Sequence, residues 1–233
     1  MPLRSLNSLP DTSVARVFVV CDQSDTAPIW GYIIREKGLT AIIETSAQRA
    51  MDRSLGEVPD LVVIDVNVPH AERIKLCKRF RSLTDSPILL FLPANNEAEI
   101  LEAYQAGVDE CVVKPISPAL FMAKIMAWAR RSHKEGGEPS NARLGIYLDS
   151  RRRMAIDSNG REVRLTNLEF RLLRLLMSQP GRVFASEEII ARVWGLGGGG
   201  DSAALKNVVY RLRKKLGANV IQTWPGGYSF RED

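Results

Sequence analysis

The fold is constrained most strongly by five short apolar segments in the first 131 residues, which alternate with amphipathic stretches. Each segment is rich in β-branched or aromatic residues and is too short for a buried helix, so each predicts a buried strand. The segments cover residues 15–21, 41–44, 58–65, 87–92 and 111–113. Strands that are apolar along their whole length and alternate with helices predict a five-stranded, doubly wound parallel sheet in an α/β domain.

A different order of elements is predicted after residue 142. The predicted elements are strands at 144–149, 154–157 and 162–165, helices at 165–177, 186–194 and 202–216, and a terminal hairpin at 220–230. Thr166 and Glu169 have the spacing of a capping box at the start of the first helix, and Ser186 is expected to cap the second. Three helices closed by a hairpin predict a winged helix-turn-helix, an α+β domain.

The two predicted domains are separated by residues 132–142, which lack apolar periodicity and are rich in Gly, Pro, Ser and charge. We therefore expect a first domain at 15–131, a flexible linker at 132–142 and a second domain at 143–233. Residues 1–14 have no apolar core of signal-peptide length and are expected to form a disordered arm. No apolar segment approaches the roughly 20 residues that span a membrane, so we expect a cytoplasmic protein without a membrane partner.

The positive charge of the chain is concentrated in the second domain. Residues 143–233 contain 16 Lys and Arg against 9 Asp and Glu, a net charge of +7, whereas residues 1–131 carry −1. Such an excess in a small domain favours a polyanionic partner, and double-stranded DNA is the simplest one. Charge alone supports a solvated basic surface equally well, so the DNA prediction depends on the helix order of the domain.

Two carboxylates and one ammonium group are predicted to meet at one edge of the sheet. Asp65 ends the third predicted strand, Asp22 follows the first and Lys114 follows the fifth. The carboxyl ends of parallel strands meet at this edge, where doubly wound folds place their sites. Each residue alone would be an ordinary solvated strand end. Together they are typical of phosphoryl transfer to a carboxylate, with Mg²⁺ held by oxygen ligands.

Seven stretches of the chain resemble a known family. The first domain is similar to a flavodoxin-like receiver domain in VFVVCDQ, PDLVVIDVNVP, SPILLFLPAN and AGVDECVVKPISP. The second is similar to the winged-helix effector of OmpR/PhoB-type response regulators in LTNLEFRLLRLL, GRVFASEEIIARVWG and NVVYRLRKKLG. The resemblance implies a sequence-specific DNA-binding transcriptional regulator of the two-component type, not an enzyme, with a histidine kinase as a further partner.

The resemblance also assigns roles to the residues of the aspartate site. Asp65 corresponds to the phosphoacceptor and Lys114 to the family's lysine, with a cis peptide bond implied before Pro115. Asp22 and Asp65 would be metal ligands together with the backbone carbonyl of Asn67. Weakly bound Mg²⁺ is therefore the cofactor that the resemblance implies.

Four places in the first domain depart from the family pattern, and one of them is Glu72-Arg73, where the loop after Asp65 usually has an Asp-Gly pair. Cys21 replaces one of two adjacent acids, and Leu92 replaces a Thr or Ser whose hydroxyl follows the phosphoryl group. Cys111 replaces an aromatic residue that swings inward upon activation. Because leucine cannot hydrogen-bond, we expect a degenerate receiver in which phosphorylation contributes little. Cys21 and Cys111 also raise a redox-sensor interpretation, although buried inert thiols are the commoner case.

Two other functions stay open at this point. One is a conventional response regulator that is phosphorylated on Asp65 by a histidine kinase. The other is an enzyme or small-molecule sensor with a DNA-binding appendage. The sequence gives the enzyme little support, since it contains no Gly-rich phosphate loop and no nucleophile–base pair beyond the aspartate cluster.

The predicted helix at 202–216 has an apolar face with core spacing and an opposite face that is polar and cationic, which suits the DNA major groove. By resemblance, the base-facing residues are Lys206, Asn207 and Arg211, and the backbone-facing residues are Tyr210 and Arg213. Lys214, on the same polar face, is a further candidate for a phosphate contact. Arg211 is the candidate for a bidentate guanine contact. The loop at 195–201, which contacts RNA polymerase in the family, is predicted to be mobile because ordering its glycines costs backbone entropy.

A homodimer is predicted through the fourth helix, fifth strand and fifth helix of the first domain, without a phosphoryl trigger. In the family, this face is held by ion pairs. The corresponding pairs in this sequence are Ile100 with Leu120, Lys124 with Ala106, and Arg131 with Glu110. The first pair is apolar, the second leaves a lysine without its acid, and only the third keeps both charges. We expect buried apolar contacts to strengthen this dimer.

Overall fold

The computed structural model describes residues 14–52, 58–133, 140–143, 145–149, 152–195 and 200–231. Residues 1–13 of the predicted arm and 196–199 of the predicted mobile loop lie outside the described residues. The first domain contains the strands β1 (Arg16–Cys21), β2 (Thr40–Glu44), β3 (Leu61–Asp65), β4 (Ile88–Leu92) and β5 (Glu110–Val113). They form one sheet in the order β2-β1-β3-β4-β5, with every neighbouring pair parallel. The predicted doubly wound sheet is confirmed.

Helices connect these strands. Within the described residues they are α1 (Thr26–Glu36), α2 (Ala47–Asp52), α3 (His70–Leu83), α4 (Glu97–Gln105) and α5 (Pro118–His133). The side chain of Asn96 caps α4 by accepting hydrogen bonds from the N–H groups of Ala98 and Glu99. Gly107 follows α4 with a φ of 102°, and a Cβ there would lie 2.6 Å from the Arg81 side chain. The sequence did not predict α2, because six residues are too few to show a helical apolar period.

Both faces of the five-stranded sheet are buried, which explains why its strands are apolar along their whole length. Alternate strand residues point to opposite faces. One set, which includes Phe18 and Ile64, packs against α2, α3 and α4, where the rings of Phe18 and Phe80 lie 5.4 Å apart. The other set, which includes Val19 and Phe91, packs against α1 and α5.

The second domain begins with an antiparallel sheet of β6 (Ser140–Arg143), β7 (Ile146–Asp149), β8 (Met154–Asp157) and β9 (Glu162–Arg164). The elements that follow are α6 (Asn167–Ser178), β10 (Phe184–Ala185), α7 (Ser186–Val193), α8 (Ser202–Leu216), β11 (Ile221–Trp224) and β12 (Gly227–Phe230). The last two strands form a hairpin, and β10 pairs with its second strand. This is the predicted winged helix-turn-helix domain.

Two local predictions need correction. Residues assigned to the linker at 132–142 are partly in regular structure, since α5 continues to His133 and β6 begins at Ser140. Ser186 does not cap α7, because the N-cap residue is Ala185 and no side chain bonds there. Instead the Ser186 hydroxyl donates to the carbonyl of Gly226 at 3.1 Å, which ties the helix to the hairpin turn. In the described residues, no helix is long and apolar enough to cross a membrane.

The capping box of α6 gives a stability prediction. The Thr166 hydroxyl accepts from the Glu169 N–H at 3.4 Å, and the Glu169 carboxylate accepts from the Thr166 N–H at 2.9 Å. Thr166→Ala should lower the free energy of unfolding by about 1 kcal/mol, because one N–H at the start of α6 loses its acceptor. Urea denaturation followed by circular dichroism measures this change, with Thr166→Ser as the control that retains the hydroxyl. Equal stability of the alanine variant and the parent would contradict the prediction.

Candidate functional site

The structure brings Asp65, Asp22 and Lys114 together at the carboxyl edge of the sheet. Asp65 ends β3 opposite Cys21 of β1, and it is 1% exposed. Its Oδ1 atom accepts a hydrogen bond of 2.7 Å from the Lys114 ammonium group. The Lys114–Pro115 peptide bond is cis, as the resemblance implies. Asp65 is therefore a buried, ion-paired carboxylate at the end of a buried strand.

The second oxygen of Asp65 is engaged as well. Its Oδ2 atom accepts a hydrogen bond of 3.1 Å from the indole Nε1 of Trp30, which lies on α1. The side-chain amide of Gln23 donates to Oδ1 at 3.4 Å. Sequence reasoning missed Trp30, because a tryptophan on the apolar face of a helix looks like an ordinary core residue. Both carboxylate oxygens of the predicted phosphoacceptor thus face nitrogen donors.

The residues implied as Mg²⁺ ligands are Asp22, Asp65 and Asn67. Both carboxylate oxygens of Asp22 lie 2.9 Å from the Asn67 backbone nitrogen, so these two residues are adjacent. Carboxylate and carbonyl oxygens are the ligands that Mg²⁺ prefers. Receiver domains generally bind Mg²⁺ at this position. The present arrangement does not fit a bound cation, however, because Asp65 is buried and directs its oxygens at Trp30 and Lys114.

Leu92 and Cys111, the two positions where the family's switch pair is missing, lie on neighbouring strands. Leu92 is fully buried at the end of β4, and its carbonyl accepts from the Lys114 N–H at 2.9 Å. Cys111 is half-buried on β5 and packs against both apolar layers of the domain. The Leu92 side chain offers no hydrogen-bonding group, and Cys111 offers only a weak S–H donor.

Burial governs the chemistry of the three cysteines, which are all unpaired. Desolvation raises the pKa of Cys21 to about 11 and the pKa of Cys77 to about 12, and it also raises the pKa of Cys111. The thiolate is the reactive form of cysteine, so these thiols are poor nucleophiles at neutral pH. The environment favours inert buried thiols over the redox-sensor interpretation.

The predicted recognition helix is α8, whose N-cap residue Asp201 accepts from the Ala204 N–H at 2.7 Å. Its core face is buried as predicted at Leu205, Val208, Val209 and Leu212. Of the six predicted DNA-binding residues, the exposed ones are Lys206, Tyr210 and Lys214. The other three, Asn207, Arg211 and Arg213, are half-buried. Each has contacts within the chain or polar atoms without a hydrogen-bond partner.

Arg211 does not point toward solvent. Its guanidinium group lies between two acidic side chains, with Nε 3.4 Å from Glu169 Oε1 and Nη2 3.7 Å from Asp109 Oδ1. Burial lowers the pKa of Arg211, whose side chain is 14% exposed. Burial acts to raise the pKa of Glu169, but Arg211 and Lys215 outweigh it and lower that pKa. Asp109 belongs to the first domain, so that domain lies against the Arg211 side chain. Arg211 therefore cannot make the expected guanine contact in this conformation.

Arg213 is also used inside the chain. Its guanidinium group donates to the carbonyl of Ile221 through Nε at 3.1 Å and Nη2 at 2.7 Å, and to the Thr223 hydroxyl at 2.7 Å. These bonds fasten α8 to the hairpin strand β11. The expectation that Arg213 faces the DNA backbone is corrected here, because its donors hold the hairpin.

The two domains contact each other around Asp109. Helix α4 packs against α8, and the Trp194 indole donates to the Asp109 carbonyl at 3.2 Å. Arg164 of β9 forms an ion pair with Asp85 of the first domain. Gly200 lies against the Trp194 ring, where a Cβ would come within 2.3 Å of a ring atom. The first domain therefore covers one side of the predicted recognition helix.

Several buried polar atoms at this interface have no hydrogen-bond partner. They are Oδ1 of Asp109, Oε1 of Glu169, Nδ2 of Asn207, and Nε and Nη1 of Arg211. An unsatisfied buried polar group costs about 1–3 kcal/mol. The closed arrangement therefore retains polar groups that would gain hydrogen bonds if water or another partner reached them.

The ion pairs observed on the predicted dimer face differ from the expected ones. Lys124 is not without an acid, because its ammonium group lies 2.5 Å from the buried carboxylate of Glu110. Glu110 also accepts from the Trp128 indole at 2.5 Å, so it does not await a partner. Ile100 packs against the core of its own domain, whereas Leu120 is 51% exposed. The side chain of Arg131 lies outside the described residues.

Comparisons with known proteins agree with this architecture. The family described as "Response regulator receiver domain" matches residues 17–126, and "Transcriptional regulatory protein, C terminal" matches residues 160–230. The chain is 33% identical over 222 residues to the phosphate regulon transcriptional regulatory protein PhoB of Rhizobium meliloti, covering 92% of this chain and 97% of PhoB. It is 33% identical over 186 residues to the transcriptional regulatory protein CseB of Streptomyces coelicolor, covering 74% of this chain and 79% of CseB.

A solved structure of a RitR mutant shares the fold, with a TM-score of 0.72 and 20% identity over 94% of this chain and all of that one. A 2-1-3-4-5 parallel sheet with an aspartate–lysine site, followed by a winged helix, defines a two-component response regulator with a DNA-binding domain. The chain belongs to the OmpR/PhoB-type response regulators. Its relatives are regulators of transcription.

The thiol environments predict slow chemical modification. With a pKa of about 11, Cys21 is present as thiolate to about one part in a thousand at pH 8. We expect iodoacetamide to label none of the three cysteines appreciably in the folded protein at pH 8, and all three in guanidinium chloride. Mass spectrometry of timed samples measures both rates. Rapid labelling of Cys21 or Cys111 in the folded state would restore the redox interpretation.

Proposed function

We propose that this protein is a sequence-specific transcriptional regulator whose receiver withholds the recognition helix from DNA, and that phosphorylation of Asp65 contributes little to this control. The observation that carries the proposal is the position of Arg211 between Asp109 and Glu169. A guanidinium group that pairs with receiver and effector carboxylates is not free to bind guanine. DNA binding therefore requires the two domains to separate.

The outer face of α8 supports the DNA part of the proposal. Lys206, Tyr210 and Lys214 are exposed and cationic or aromatic, which suits contact with phosphates and groove edges. Once α8 leaves α4, Arg211 and Asn207 would join this face. The net charge of +7 in residues 143–233 would add a sequence-independent attraction to DNA.

The aspartate site supports the degenerate receiver. Leu92 and Cys111 lack the groups that normally report a phosphoryl group to the rest of the receiver. Asp65 is buried, and its Oδ2 atom accepts a hydrogen bond from the Trp30 indole. An observation that favours a conventional regulator is the intact Asp65–Lys114 pair.

A homodimer on DNA, and contact of the effector with RNA polymerase, complete the proposal. The dimer face expected from the sequence includes α4, which in the closed chain packs against α8. Dimerisation through α4 and release of α8 would then favour each other, because each needs the same surface to be free. Leu120 on α5 is an exposed apolar side chain that supports such a contact.

The role of phosphorylation can be tested with an operator selected from genomic fragments by the full-length protein. We expect operator affinity to change less than about threefold, or ~0.6 kcal/mol, after treatment with acetyl phosphate, and Asp65→Asn to bind as the parent does. Electrophoretic mobility shift assays measure both. A gain of tenfold or more that requires Asp65 would overturn the degenerate receiver and favour the conventional regulator.

Loosening the domain contact should strengthen DNA binding. Trp194→Phe removes the hydrogen bond to the Asp109 carbonyl while keeping an aromatic ring. Loss of about 1 kcal/mol from the closed state should raise the apparent operator affinity about fivefold, since closed molecules do not bind. The same direction is expected for Arg164→Ala, which breaks the ion pair with Asp85.

A matched control for Arg164→Ala is Arg152→Ala. Arg152 pairs with Glu162 at 2.8 Å within the effector, so this change removes one positive charge without touching the domain contact. We expect Arg152→Ala to leave affinity unchanged or slightly weaker. If both single variants, Trp194→Phe and Arg164→Ala, bind the operator more weakly than the parent, the proposal of a closed, inhibited state is wrong.

A further inference from the structure

The indole of Trp30 has a fixed position against the aspartate site. Trp30 is 6% exposed on α1, and its ring stacks on Phe121 of α5 with centroids 4.0 Å apart and planes 11° from parallel. Phe121 is itself fully buried and contacts Phe91 of β4. An aromatic stack of this kind leaves the Trp30 ring little freedom, so the indole N–H remains directed at Asp65 Oδ2.

Phosphoryl transfer to Asp65 would need a free carboxylate oxygen. In that step a lone pair of one Asp65 oxygen attacks the phosphorus of an acyl phosphate and forms a new O–P bond. The P–O bond to the acyl group breaks, and the acyl carboxylate departs with the electron pair. Asp65 Oδ1 is paired with Lys114, so Oδ2 is the remaining oxygen, and it is the one that accepts from Trp30.

We propose that Trp30 is a positioning residue that holds Asp65 in an unreactive state by donating its indole N–H to the nucleophilic oxygen Oδ2. The inference deepens the proposed function and rests on it only in taking Asp65 as the phosphoacceptor. A purely structural ring at this place would not need a nitrogen, since phenylalanine could make the same stack. The indole N–H is a hydrogen-bond donor, and it donates to Asp65, the carboxylate that would accept the phosphoryl group.

The surroundings of the indole leave room for the reaction. A cleft of about 540 Å³ opens beside the site, and its walls include Gln23, Trp30, Asp65, Lys114 and Pro115. A small acyl phosphate could enter this cleft next to the Lys114 ammonium group, which would balance phosphoryl charge. The restraint is therefore local to the Asp65 carboxylate and does not come from a closed cavity.

The test compares acetyl phosphate labelling of the full-length parent, Trp30→Phe and Trp128→Phe in a magnesium buffer, with intact-mass and peptide mass spectrometry as the readout. Trp30→Phe keeps an aromatic ring beside Phe121 and removes the N–H group together with the second ring of the indole, a loss of size that the Trp128→Phe control shares. We expect it to acquire a phosphoryl group on Asp65 at least about tenfold faster than the parent, a barrier change of ~1.4 kcal/mol. Asp65→Asn in the Trp30→Phe background should abolish the labelling.

Trp128→Phe is the matched control, because the Trp128 indole also donates to a buried carboxylate of the same domain, that of Glu110. We expect its labelling rate to equal that of the parent. Equal rates for Trp30→Phe and the parent would overturn the proposal, as would an equal acceleration in both variants. The proposal of a degenerate receiver would fail in a different measurement, namely a gain in operator affinity when the parent protein is phosphorylated.

A second measurement does not depend on labelling or on the stability of Trp30→Phe. In ¹⁵N-labelled parent protein, the Trp30 indole N–H resonance should lie downfield, because a carboxylate is a strong acceptor. Asp65→Asn should move it upfield while the Trp224 indole resonance stays in place, since Trp224 donates to Ser229 instead. An unmoved Trp30 resonance would show that the bond to Asp65 does not persist in solution, and the proposal would fall.

Discussion

The buried carboxylate of Asp109 fixes how the two domains meet. Its Oδ2 atom accepts from Arg81 at 2.5 Å and from the Ile88 N–H at 2.8 Å, while Oδ1 faces Arg211 of the recognition helix. Burial raises the pKa of Asp109, and Arg81 and Arg211 act against that rise. Because an unpaired charge in such a place costs about 3–5 kcal/mol, the cations around Asp109 are required wherever it stays buried. Arg81 of the same domain meets this requirement directly, and Arg211 of α8 adds a second positive charge 3.7 Å from Oδ1.

The contacts of α8 leave several polar groups of the closed arrangement poorly satisfied. Arg211 satisfies neither carboxylate with good hydrogen-bond geometry, and two of its nitrogens have no hydrogen-bond partner. Asn207 adds an unpaired amide nitrogen on the same side of α8. Unsatisfied buried polar groups reduce the margin by which such an interface is stable. Such a margin suits a regulator, because a partner that offers better hydrogen bonds to α8 can displace the receiver.

Sequence patterns predicted the fold well and the site only in part. Continuous apolar strands are a local signal, and they predicted the doubly wound parallel sheet. The capping box at Thr166 and Glu169 is also a local signal, and it helped to predict the first helix of the winged helix-turn-helix. The meeting of Asp65 with Lys114 also followed, because parallel strands end at one edge. The burial of Arg211 did not follow, since helical spacing places it on a polar face and cannot show that another domain covers that face. Trp30 was missed for a similar reason, as a core tryptophan carries no motif.

The loss of the usual switch pair leaves α4 attached to the aspartate site by a different route. Arg73 of α3 is buried, and its guanidinium group donates to the Val68 carbonyl at 3.0 Å, close after Asp65 in the chain, and to Glu99 of α4 at 3.2 Å. Helix α4 in turn packs against α8. A hydrogen-bonded arginine in this position links the β3–α3 loop to α4 without a hydroxyl at Leu92 or an aromatic ring at Cys111. The aspartate loop and the recognition helix are therefore joined by direct contacts through α4, even though the residues that normally connect them are absent.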